Sequence, residues 1–146
     1  MSTPYESADL LMKLYDLRGD ETLRQARDWF VTKFHPETAH EVLAVWLGPE
    51  SARYLMVTSY WDMAASFVNH GAIDEAMFHD ASTEHVAVFA KLEPFLAELR
   101  STSGQPDFLG HLERVVTRMP DAATRIDSMR RYMRRSATQG AHGVKR

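Results

Sequence analysis

Side chains that bind metals or move protons crowd into one short part of the chain: His70, Asp74, Glu75, His79, Asp80, Glu84 and His85. Imidazoles and carboxylates together suit zinc, iron or manganese. Of the pairs four residues apart, the spacing that puts two side chains on one face of a helix, only Glu75 and His79 fall within one predicted helix; the others would need loop geometry to meet. A Glu-x-x-His element occurs once, at Glu37 and His40, whereas di-metal helical bundles use it twice. A mononuclear site built on His70, His79 and His85 is therefore the alternative, and the expectation is no metal and no other cofactor, with these groups on a solvated rim.

A second candidate lies just before it. From residue 52 to 68 the chain is apolar nearly all round a helix, and its polar residues Ser59, Asp62, Ser66 and Asn69 recur at spacings of three, four and three. They form one narrow stripe along the axis. A buried carboxylate without a partner would cost several kcal/mol or take up a proton. The stripe thus implies a partner for Asp62: a cation such as Arg27 or Lys91, a set of hydroxyl or ring N–H donors, or a metal. A structural ion pair or polar network is the expected answer, with a catalytic or ligand-binding role as the alternative.

A third feature is electrostatic. The net charge of −3 divides into +6 over residues 125–146 and −9 over the rest. The segment RIDSMRRYMRR puts Ile126, Met129 and Met133 on one helical face and Arg130, Arg131, Arg134 and Arg135 around the other. Docking of the apolar face on an acidic body is the preferred reading. Nucleic acid, an anionic membrane surface or a partner protein are alternatives, and the acidic remainder opposes a polyanion that spreads beyond this helix. Glycine-rich phosphate loops, a dinucleotide fingerprint and a nucleophile elbow are missing from the sequence. With no cysteine it offers neither a thiol nucleophile nor a disulfide.

The elements that must position these groups all read as helices. Thr3-Pro4-Tyr5-Glu6 is a capping box with proline at the first helical position, followed by Leu10, Leu11, Leu14 and Leu17. Asp20 opens a second helix, which His35-Pro36 ends. Thr38 opens a third. Gly48-Pro49 precedes a long helix over about 49–70, stopped by Gly71 in the left-handed conformation. Asp74 caps a short helix, and Ser82 or Thr83 caps the next, in which Pro94 predicts a kink or a split. SGQP (103–106) is a loop, and Phe108, Leu112, Val115, Val116 and Met119 mark another helix before Pro120.

The sequence therefore predicts one all-α domain over 1–136, a bundle of six to eight helices around the 49–70 helix. A disordered basic tail is predicted over 137–146. Its acidic N-terminus does not read as a signal peptide, and no apolar run reads as a membrane span. The expected location is the cytoplasm.

The stretch SYWDMAASFVNHGAIDEAMF (59–78) resembles the core of a family of small bacterial all-helical proteins known only as a domain of unknown function. Tyr60, Trp61 and Asp62 fill an aromatic-aromatic-acid step, followed by Ala65, Val68, Gly71, Ile73-Asp74-Glu75 and Phe78. The resemblance covers about residues 40–100. It implies a helical fold and no particular activity; some relatives carry a membrane anchor, which no segment here resembles. The functional expectation is a non-catalytic helical protein acting through self-association or a protein partner. Exposed aromatic residues would mark its interface.

Overall fold

The computed structural model describes residues 2–143, with side chains described through residue 138. Among these residues every regular element is helical: α1 (Pro4–Leu17), α2 (Glu21–Thr32), α3 (Ala39–Trp46), α4 (Ser51–Asn69), α5 (Glu75–Ala81), α6 (Glu84–Leu92), α7 (Leu96–Ser103), α8 (Gly110–Thr117) and α9 (Ala122–Gly143). A 3-10 turn, Glu93–Phe95, joins α6 to α7 without a gap. Pro94 sits in that turn, so the two form one kinked unit and the described residues make eight separate helical segments. The kink is where proline's missing N–H and its ring would otherwise break the helix.

Local chemistry sets most of the boundaries. Thr3 and Glu6 exchange side-chain and backbone hydrogen bonds at 3.1 Å each, closing the predicted capping box. Asp20 and Asp74 each accept a backbone N–H three residues on, from Leu23 and Met77. At α3 the box is only half formed: Thr38 accepts from Glu41, but the Glu41 carboxylate takes the Glu37 N–H instead. Gly71 ends α4 with φ +78°, as predicted, and Gly104 ends α7 with φ +69°.

α4 is the centre, packed chiefly on α2 and α8, while α6 packs chiefly on α9. Its buried side, with Tyr54, Val57, Tyr60, Trp61, Ala64, Ala65 and Val68, shares one core with Phe30 of α2, Phe34 just after it, Phe78, Phe89 and the valines of α8. Side-chain bonds to backbone tie helices together. The Tyr60 hydroxyl donates to the Leu14 carbonyl at 2.7 Å, and buried Ser7 accepts the Asp74 N–H at 3.0 Å.

α9 continues past residue 136 to Gly143. The stretch from 137, predicted as a basic tail, thus begins inside the described span of α9. The remainder of that predicted tail, 144–146, lies outside the described residues. No helix among the described residues is long and apolar enough to cross a membrane.

Candidate functional site

The Asp62 stripe is not sequestered. Ser59 is exposed, and Asp62, Ser66 and Asn69 are half-buried. Ser59 and Ser66 donate back to carbonyls of their own helix, Met56 and Met63. Asp62 and Asn69 instead reach the first turn of α8. The Asp62 Oδ1 accepts the Leu112 N–H at 2.9 Å, and the Asn69 amide donates to the His111 carbonyl at 3.2 Å.

The reason lies in how α8 starts. Its N-cap residue, Leu109, is buried with φ 57° and has no side-chain oxygen to offer. An L-residue in that region costs about 1–2 kcal/mol, and the free N–H groups of the first helical turn still need acceptors. Asp62 supplies one from a neighbouring helix, as a cap acting across the fold. Its carboxylate also borders an open groove of about 550 Å³ lined by Trp46, Leu55, Gln105, Pro106 and Phe108. No histidine lines that groove.

The expected cations are engaged elsewhere. Arg27 forms a two-pronged pair with Glu84, Nε to Oε2 at 2.8 Å and Nη2 to Oε1 at 3.0 Å. Glu84 also accepts the Trp61 indole N–H at 2.8 Å. The hydrogen bonding of Arg27 to Glu84, and then the charge of Glu84, raise the guanidinium above its ordinary value against the opposing effect of burial. Lys91 reaches α2, donating to the Phe30 and Phe34 carbonyls at 2.6 and 2.7 Å. Its ammonium completes the C-terminal end of that helix, where a cation is favoured.

Of the three predicted histidines, two converge. His79 Nδ1 and His85 Nε2 are 2.9 Å apart with their rings stacked, while exposed His70 lies beside His111 instead, with ring centroids 5.9 Å apart. The other nitrogens of the pair, His79 Nε2 and His85 Nδ1, are buried with no partner among the described residues. Whichever ring donates across the pair, one N–H is left over, because each neutral imidazole carries one proton. Burial pushes His85 down to about 3, helped by the charges of His79 and Arg18; burial lowers His79 as well. No set of three His, Asp or Glu side chains converges among the described residues. Glu37 and His40 are both exposed on opposite sides of the α3 start.

Two other acids of the segment serve as helix punctuation and a surface pair. Asp74 caps α5, and Glu75 pairs with Arg118, whose guanidinium also donates to Asn69 at 2.7 Å. Of the basic residues on α9, Arg130 turns inward, donating to the Ala90 carbonyl and pairing with Glu93 at 2.9 Å. Arg131, Arg134 and Arg135 are exposed.

Compared with known proteins, residues 5–119 match the family model of a domain of unknown function, DUF4760. The chain belongs to that family. No curated protein and no solved structure matches it. The DUF4760 match extends the resemblance from the α3–α7 region to all of α1–α8, and it stops just before α9. Sequence reasoning missed Glu84 as the carboxylate of this DUF4760 chain whose two oxygens are both engaged, and Leu109 as a strained cap. Neither had a sequence signal that singled it out.

Proposed function

We propose that the protein is a non-catalytic association module that pairs with a second copy of itself through the outer face of α1. The observation that carries this reading is a row of exposed apolar residues, Tyr5, Ala8, Met12 and Tyr15, at spacings of three, four and three. Tyr5, Met12 and Tyr15 are 88%, 60% and 62% exposed. That spacing is the seam of a two-stranded coiled coil. The opposite face of α1, with Ser7 and Leu14, is already buried against the bundle.

Charge favours a second copy placed antiparallel. Glu6 and Asp9 lie in the first half of α1 and Lys13 in its second, with Asp16 the acid beside it, while Arg18 at the C-cap turns inward over the Trp61 ring at 5.5 Å. Reversing one helix against the other sets Lys13 of each copy beside the acidic first half of its partner. The Lys13–Asp9 pair within one helix is well exposed and offers little competition. A seam this short, about 20 Å of helix, falls at the small end of stable interfaces, so the dimer is expected to depend on concentration.

The polar groups that could have done chemistry support binding over catalysis. Asp62 caps α8, Glu84 is paired, and His79 and His85 are occupied with each other. Sedimentation equilibrium of the full chain tests the proposal. The expected result is a monomer–dimer equilibrium that Met12→Glu and Tyr15→Glu shift to monomer while helical content stays unchanged. A parent that remains monomeric at every concentration, or a Tyr15→Glu variant that dimerises as well as the parent, overturns it.

A further inference from the structure

α9 follows the family-matched region and packs on α6. Between them and the connector after α2 lies a cleft of about 660 Å³, lined by His35, Pro36, Glu37, Ala90, Lys91, Pro94, Phe95, Arg130, Met133, Arg134, Ala137 and Thr138. That volume lies within the range of small-molecule sites, which favour seams between packed units and combine apolar walls with a few placed polar groups. The cleft shares no residue with the outer face of α1.

Its charges are unequal. Arg130 is neutralised by Glu93 and held by the Ala90 carbonyl. Lys91 is only 8% exposed. Its ammonium uses two of its three N–H groups on the Phe30 and Phe34 carbonyls, and it meets no carboxylate among the described residues. Arg134, on the α9 wall, also has no carboxylate partner among them. The one acid on the lining is exposed Glu37, whose backbone N–H is taken by Glu41. Two cations thus face one solvated carboxylate. Phe95, Met133, Pro36 and Pro94 supply apolar walls beside them.

We propose that this cleft binds a small organic anion whose oxyanion head meets Lys91 and Arg134 and whose apolar body lies against Phe95 and Met133. A buried ammonium without a counter-ion is costly, and burial lowers Lys91 to about 8. An anionic head group would relieve that cost and hold the charged form. A neutral molecule of the same shape would gain the apolar contact alone.

The test uses the full chain with carbon-13 methyl-labelled methionine and three probes: octanoate, phenyl phosphate and octanol. The two anions stand for carboxylate and phosphate heads, and octanol is the uncharged control. Saturable shifts of the Met133 methyl signal with either anion are expected, with binding at least tenfold weaker for octanol. Arg134→Glu, at an exposed position, is expected to weaken anion binding at least tenfold, and Ala137→Phe to block it by filling the cleft. Which anion binds more tightly identifies the head group. An unmoved Met133 signal with both anions at millimolar concentration overturns the proposal, as does binding that Arg134→Glu leaves unchanged.

Discussion

The two sides of α4 hold one carboxylate contact each, and they treat it in opposite ways. On the side facing α2 and α6, Glu84 is wrapped by the Arg27 fork and the Trp61 indole, with the His79–His85 pair close behind. On the side facing α8, Asp62 accepts one backbone N–H and otherwise faces a groove. The first arrangement gathers charge, ring and aromatic wall around largely buried side chains, where removing one member leaves the others unsatisfied. The second spends a single oxygen on a helix end and leaves the rest to water. A carboxylate's weight in this fold therefore depends on how many of its lone pairs are occupied by the protein.

The closed side carries the largest expected effects. His85 is fully buried and its folded value, about 3, lies below the ordinary imidazole value of 6.5. Between those values the unfolded chain binds more protons than the native one, so stability is full above about pH 6.5 and is lost as pH falls toward 3. The groups that hold His85 neutral are burial itself, His79 and Arg18. The ceiling of the effect over that whole range is about 5 kcal/mol. Urea unfolding measured from pH 7 to pH 4 is expected to show that slope, and His85→Gln, which cannot charge, is expected to flatten it. Equal slopes in the two proteins would mean that His85 is reached by water.

Next comes the ion pair. Glu84→Ala strands the Arg27 guanidinium and the Trp61 N–H, both at the closed side, and is expected to lower the unfolding free energy by about 3 kcal/mol. Arg27→Met is expected to cost less, because Glu84 keeps its indole donor. A loss below about 1 kcal/mol for Glu84→Ala would place the pair in the class of surface salt bridges and erase the difference between the two sides.

Helix punctuation is legible in this sequence because it is local. Thr3, Asp20, Asp74, Gly71 and Pro94 act on backbone groups within a few residues, and their types state what they do. Which carboxylate is sealed is a different kind of fact. Arg27 and Glu84 are 57 residues apart, and their meeting depends on how α2 and α6 cross. An apolar run around Asp62 marks its helix as central without saying that one face, at Leu55, Ser59 and Met63, stays open. The His79–His85 contact spans the turn at Ser82, outside any helical spacing. Most hidden is Leu109: a leucine gives no sign of a left-handed backbone, and only the packing that buries it holds it there.

The smallest effect is expected at Asp62, and it tells the two sides apart. Removing a helix cap costs about 1 kcal/mol, so Asp62→Ala is expected to destabilise by that amount, roughly a third of the Glu84→Ala effect. Asp62→Asn keeps an acceptor for the Leu112 N–H and should cost less still. The loss should also be local. Amide hydrogen exchange is expected to quicken at Leu112 and in the first turn of α8, while Tyr54, Val57 and the rest of α4 stay protected. If Asp62→Ala instead cost as much as Glu84→Ala and opened α4 throughout, the groove beside Asp62 would have to be closed in solution. The outer face of α4, at Leu55 and Met63, would then be covered by another surface, and the self-association site would need to include it.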